Sequence, residues 1–178
     1  MALYFENLDE RTRQLMLDEM EYDIEHHQLH ISPFLSGQGQ RDYEGLLREA
    51  LQSGSDETLA ESLRQHRRLL RTLPRRNPSG GYSIAATAEN AAQVLAESEF
   101  NRYYIRALAR RAIEDGIQEL VIYRAKPVAN PRPESEARIE TSLAPQELLE
   151  DLRSHPGDER PSLGVPSGPN SGLSVRLP

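Results

Sequence analysis

The stretch of residues 99–136, EFNRYYIRALARRAIEDGIQELVIYRAKPVANPRPESE, limits the fold more than any other part of the chain. Ile105, Leu108, Ala109, Ala112 and Ile113 recur at helical spacing and make one apolar stripe. Gly116 followed by apolar Ile117 suits a helix C-terminus, and Thr87 is a fitting N-cap. The pattern therefore predicts a helix over about 87–115, with a break near Ser98 as a variant. Beyond it Val121 and Tyr123 alternate against Leu120 and Ile122, which reads as a strand over 119–125. One strand needs partners, and residues 29–32 (LHIS) and 82–85 (YSIA) offer them.

The remaining chain is read around this centre. Asn7 with Glu10 resembles a capping box, and Leu8, Leu15, Met16, Met20 and Ile24 follow near helical spacing, predicting a helix over 8–28 with an acidic outer face. The SGQGQ segment reads as a loop. Two short helices follow, one over 43–52 ended by Gly54. The other is capped by Ser55 or Asp56, faces Leu59, Leu63 and Leu70 inward, and stops before Pro74. PRRNPSGG, residues 74–81, suits neither a helix nor a central strand and is expected as an arginine-bearing loop or arm. A last helix over 145–153 starts with Pro145 in its first turn.

At 178 residues the chain suffices for one domain and is short for two large ones. Its hydrophobic fraction of 37% is low because Pro, Gly and Ser crowd toward the C-terminus. The expected fold is α+β and mainly α-helical: a single domain over 1–153 with a minor short-stranded sheet, then an extended Pro/Gly/Ser-rich tail over 154–178. A tail of that composition orders only when its own domain or a neighbour holds it. The chain has no cysteine, which excludes disulfides, thiolate metal sites and cysteine nucleophiles. The acidic N-terminus is unlike a signal peptide and no stretch is apolar enough to span a bilayer, so cytoplasmic synthesis and no membrane partner are expected.

Charge is segregated. Residues 1–61 hold 14 acidic and 4 basic residues, whereas residues 62–80 hold six arginines and no acid. Opposed blocks of this kind neutralise each other within one chain or between copies. Arg64, Arg67, Arg68 and Arg71 fall at i, i+3, i+4 and i+7, so a continued helix would present them together, with Arg75 and Arg76 extending the patch. The patch suits phosphate, but no aromatics are interleaved, and pairing with the acidic surface is the favoured reading. Arg102, Arg106 and Arg110 make a second stripe, expected as helix-surface ion pairs with Glu99 and Glu114 that could serve an interface.

The sequence names no reaction. His26, His27 and His30 with Asp23 have a spacing that could hold a metal, yet the helix ends before His30 and no second cluster exists. They are read as incidental, and no metal or cofactor is expected. Tyr103 and Tyr104 are expected to pack with their hydroxyls at the core edge. Glu134, Glu136 and Glu140 read as solvated charge, and GPNSG at 168–172 as a turn or docking peptide rather than a nucleophile elbow.

MALYFENLDERTRQLMLDE, AESEFNRYYIRALARRAIEDG with VIYRAK and PRPESE, and the closing GPNSGLSVRLP together resemble a family of uncharacterised bacterial proteins of about this length, found in prophage-like regions. The resemblance implies no activity and no catalytic residues. It implies a non-enzymatic structural or accessory component of a large assembly, a phage or phage-like particle, associated with capsid or neck and working by protein–protein contacts. Its partners would be other proteins of that virion or particle, or copies of itself. One alternative is a nucleic-acid-associated regulatory module using the arginines of residues 64–76. Another is a cargo-type protein docked through Leu173, Val175 and Leu177, whose apolar alternation suits strand addition.

Overall fold

One unbroken helix of 25 residues organises the molecule, without a break near Ser98. The computed structural model describes residues 2–157, 161–166 and 171–178. Its elements are α1 (Glu10–Glu25), α2 (Gly37–Ser53), α3 (Asp56–Arg64), β1 (Thr72–Arg76), β2 (Tyr82–Ala86), α4 (Ala91–Asp115), β3 (Leu120–Arg124), α5 (Pro133–Glu136), β4 (Ser142–Leu143), α6 (Pro145–Ser154) and β5 (Leu173–Arg176). The fold is α+β and mainly helical, with two small antiparallel sheets.

α4 is flanked by α1, α3 and α6 and touches β5, so it is covered on nearly every side. Phe100, Tyr103, Tyr104, Ile105, Ala107, Leu108, Ala109 and Ala112 are all buried, and the alanines let neighbouring helices approach closely. Polar residues on such a helix must find partners inside the protein, which sets up the arginine network described below. Ile113, assigned to the apolar stripe, is instead 40% exposed. Gly116 ends the helix in the left-handed conformation at φ 70°, with its N–H on Ala112 and Ile113, as its sequence predicts. Thr87 does not cap α4. Its N–H and hydroxyl donate to Arg71 O and Leu70 O and close the base of the β1–β2 hairpin.

Local signals elsewhere were partly misleading. Asp9, not Asn7, caps α1, accepting from the Thr12 N–H at 2.9 Å, while the Asn7 side chain accepts from the Leu177 N–H at 2.9 Å. The SGQGQ segment is not a loop: Ser36 caps α2 by accepting the Gly39 N–H at 3.1 Å, and the helix starts at Gly37. Gly39 lies against the chain entering the hairpin, where a Cβ would stand 2.1 Å from the Arg68 carbonyl oxygen. Gly39→Ala is therefore expected to lower stability by about 1–3 kcal/mol through backbone displacement. Chemical denaturation would measure it, and Gly45→Ala, with open space around it, is the control expected to be neutral or stabilising.

Ser55, one of the two expected caps, caps α3 and forms a full capping box with Thr58, and Leu59 and Leu63 are buried as expected. The helix ends at Arg64 rather than running to Pro74. His66 and Arg67 both take positive φ (53° and 56°) and turn the chain, leaving Leu70 37% exposed instead of inward-facing. Residues 74–81 are correspondingly no loop alone. β1 and β2 pair from Thr72↔Ala86 to Arg76↔Tyr82, with residues 77–81 as the connection. Pro74 is accommodated because a two-stranded ribbon consists of edge strands.

The predicted strand over 119–125 is β3, but neither expected partner pairs with it. Residues 29–32 are not a strand, and the YSIA segment pairs with β1. β3 is instead the middle strand of order β4-β3-β5, held on one side by β4 and on the other by the segment near the C-terminus. Residues 171–178, expected in a tail outside the domain, thus return to it: Leu173, Ser174 and Val175 are fully buried. α6 starts at Pro145 as its sequence predicts.

Candidate functional site

Arg102, Arg106 and Arg110 are not a surface stripe. Arg106 is 1% exposed and reaches across to α1, where its Nε donates to Glu19 Oε2 at 2.8 Å and its Nη1 and Nη2 to the two Asp23 oxygens at 2.7 and 2.9 Å. The Tyr103 hydroxyl donates to Asp23 at 2.8 Å, and Arg153 from α6 forks onto Glu19 at 2.6 and 3.0 Å while stacking over Tyr22. Burial pushes the Glu19 carboxyl up, but Arg153 and Arg106 outweigh it and hold it below the ordinary range. Burial, then the Asp23 charge, pushes the Tyr103 hydroxyl well above its usual value, so it stays protonated as a donor.

Arg102 donates to the carbonyls of His155 and Gly157 and fastens the segment after α6. Arg110 approaches Asp18, Glu19 and Glu114 at 3.5–3.7 Å, so only its expected pair with Glu114 is present, and Glu99 faces His30 at 3.0 Å instead of Arg102. These groups join α1, α4 and α6 to one another, and a charge used this way is not available to a neighbouring molecule.

The other sequence candidates disperse. His26 stacks on Tyr22 and His30 lies on Glu99, while Asp23 is taken by Arg106; among the described residues no His, Asp and Glu cluster is arranged to hold a metal. Tyr104 packs its ring in the core, and its hydroxyl accepts from the Asn7 N–H at 3.1 Å. Glu136 pairs with Arg124 and Glu140 with Arg176, both at the surface. Asp56 is buried and its carboxyl is pushed up by burial, but it accepts from the Leu3 N–H at 3.0 Å and so anchors the amino-terminal segment. Leu173 and Val175 lie in the core and Leu177 packs on it, so they are not a free docking peptide. Residues 168–170 of the GPNSG segment lie outside the described residues; Ser171 and Gly172 offer their carbonyls to Arg124 and Ala125.

The arginines of residues 64–76 behave differently. They do not share a helix face, yet the turn at His66 and Arg67 brings Arg64, Arg67 and Arg71 around one shallow depression, with Leu69, Leu70 and Thr87 in its walls. Arg68 does pair with the acidic surface, at 2.7 Å from Asp42, and also donates to Ser62 O. Among the described residues Arg64 donates to Gln93 alone, at 3.1 Å. Arg67, Arg71, Arg75 and Arg76 are exposed, and their side chains have no carboxylate or hydrogen-bond partner among the described residues.

From that depression the hairpin leaves the domain as an arm. Its root is tied down by Leu70 N–H to Phe34 O at 2.9 Å, Ser36 N–H to Arg68 O at 2.8 Å and the Leu35↔Leu69 bridge. Neither strand packs extensively on another element. The register puts Thr72, Pro74, Arg76, Tyr82, Ile84 and Ala86 on one face and Leu73, Arg75, Ser83 and Ala85 on the other. Tyr82 is 75% exposed and Ile84 80%, which an isolated ribbon in water has no reason to carry. Sequence reading missed both. Their signal was there: two short β-prone runs around NPSGG, with Tyr82 and Ile84 two apart. Compared with protein-family models, curated proteins and solved structures, the chain matches none.

Proposed function

We propose that the chain is a non-enzymatic accessory protein of a larger assembly, acting by contact, and that the β1–β2 arm is its contacting element. The observation that carries this reading is the arm itself: a ribbon rooted firmly in the domain, with little packing beyond its root, bearing exposed Tyr82 and Ile84 and arginines that have no carboxylate partner among the described residues. The groups best suited to chemistry, Glu19, Asp23, Tyr103 and Arg106, are used up in holding α1 to α4. The setting we propose is the one the sequence resemblance suggests, a phage or phage-like particle. The C-terminal segment has no part in it, since Leu173 and Val175 are core residues.

The test is native purification of the full chain beside a form in which residues 73–85 are replaced by a short Gly-Ser turn. The full chain should elute as a large complex by light scattering. The shortened form should lose its partner while keeping its helical circular dichroism. A monomer in both cases, or a complex indifferent to the arm, would sink the reading.

A further inference from the structure

Resting on that reading of the arm, we propose that its partner is duplex nucleic acid: the ribbon lies in a groove, and Arg64, Arg67 and Arg71 at its root hold the phosphates that border it. Three independent observations converge. The first is charge: residues 62–88 contain six arginines and no acid, while the rest of the chain carries a net negative charge, so a polyanion is drawn to the arm and its root. Five of those guanidiniums have no carboxylate partner among the described residues, whereas Arg106 in α4 is bonded through all three of its nitrogens to Glu19 and Asp23. Arginine left unpaired in this way keeps its planar fork free for phosphate.

The second is shape. A two-stranded ribbon of five residues per strand reaches about 17 Å, which is enough to lie across a groove, and the major groove is wide enough to admit such a ribbon. Exposed Pro74, Pro78 and Ile84 supply the apolar surface that groove-binding ribbons set against bases and sugars. A single strand would call for several stacking platforms, and the arm has one aromatic residue, Tyr82. The third is backbone strain. Two consecutive non-glycine residues, His66 and Arg67, hold positive φ at the point where the chain leaves α3. That conformation sets Arg67 beside Arg64 and Arg71 around the depression at the root of the arm, in place of the helix face that their spacing alone would give. Contacts of this composition read the backbone, so binding should depend little on sequence.

The experiment is fluorescence anisotropy of the full chain with a labelled duplex of about two helical turns in about 50 mM salt, repeated as salt is raised. Saturable binding is expected, its affinity falling with a log–log slope of about −4.5, about 0.9 for each of five phosphate contacts. Arg75→Gln with Arg76→Gln on the arm, and Arg67→Gln with Arg71→Gln at its root, should each weaken binding about tenfold or more and flatten the slope by about 2. These side chains have no carboxylate or hydrogen-bond partner among the described residues, so the fold should survive the changes. Arg132→Gln, which removes one positive charge at an exposed position outside the arm, should leave binding unchanged. No binding in low salt, binding that Arg132→Gln weakens equally, or preference for a single strand would overturn the proposal. Salt-sensitive self-association or capture of an acidic protein, abolished by the arm changes while duplex binding is absent, would also overturn it. The arm would then still stand as the contacting element, because the native-mass comparison fails only if removing residues 73–85 changes nothing.

Discussion

Replacing Arg106 by methionine is expected to remove about 3–5 kcal/mol of folding stability, although the substitution keeps much of the side chain's volume. The reason is what stays behind. Glu19 retains the Arg153 fork, but Asp23 is left almost fully buried with only the Tyr103 hydroxyl for company. A buried carboxylate without a cation is the expensive half of a broken pair, so adding Asp23→Asn should restore a substantial part of the loss. Denaturant titration of the two single variants and the double gives the coupling directly. A loss below about 1 kcal/mol in Arg106→Met would mean that water reaches the carboxylates, contrary to their burial.

The pH dependence has a definite sign. The folded-state value of Glu19 lies below its ordinary 4.5, so its contribution is complete above about pH 4.5 and is lost as pH falls through the depressed value. The wild type should therefore weaken on acidification in that window.

The network also shows why some of the fold was legible in the sequence and some was not. Helix ends written in local chemistry read correctly: Ser55 before α3, Pro145 opening α6 and Gly116 closing α4 need only their own neighbours. The start of α2 did not, because Gly37 and Gly39 have loop composition while the cap on Ser36 and the packing against Arg68 decide the outcome. Arg102, Arg106 and Arg110 have a spacing that fits a solvated stripe equally well. The clue was in another helix, where Glu19 and Asp23 stand at i and i+4 and match Arg106, a relation that spans more than 80 residues. The arm was half legible. Pro74 and Pro78 marked it as outside the core, but helical spacing of the arginines suggested a shared face, and the turn at His66 and Arg67 replaces that face with a rim around a depression. Tyr82 and Ile84 were read as strand residues seeking the main sheet, since exposure of large apolar groups has no local signature.

Ending the chain at Gly157 is expected to unfold the domain, whereas shortening the arm should leave its melting temperature nearly unchanged. Composition alone argues the opposite, because the last 25 residues are rich in Pro, Gly and Ser while the arm carries regular strands. Burial decides. Leu173 and Val175 are fully buried against α4 and β3, and burying two such side chains is worth about 1.5–3 kcal/mol each. Their loss would leave the Asn101 side chain without Leu173 O at 2.8 Å and the Ser174 hydroxyl at 2.7 Å, and one edge of β3 without its ladder. Buried amides without partners add about 1–3 kcal/mol apiece. The total, roughly 5 kcal/mol or more, is comparable to the whole stability of a domain this size. Leu73 and Ala85 are the arm's only half-buried strand residues, so its removal exposes little. Thermal melts of the two deletions side by side decide the matter: a truncated chain that melts with the full-length protein would show that β5 closes the sheet without supporting it.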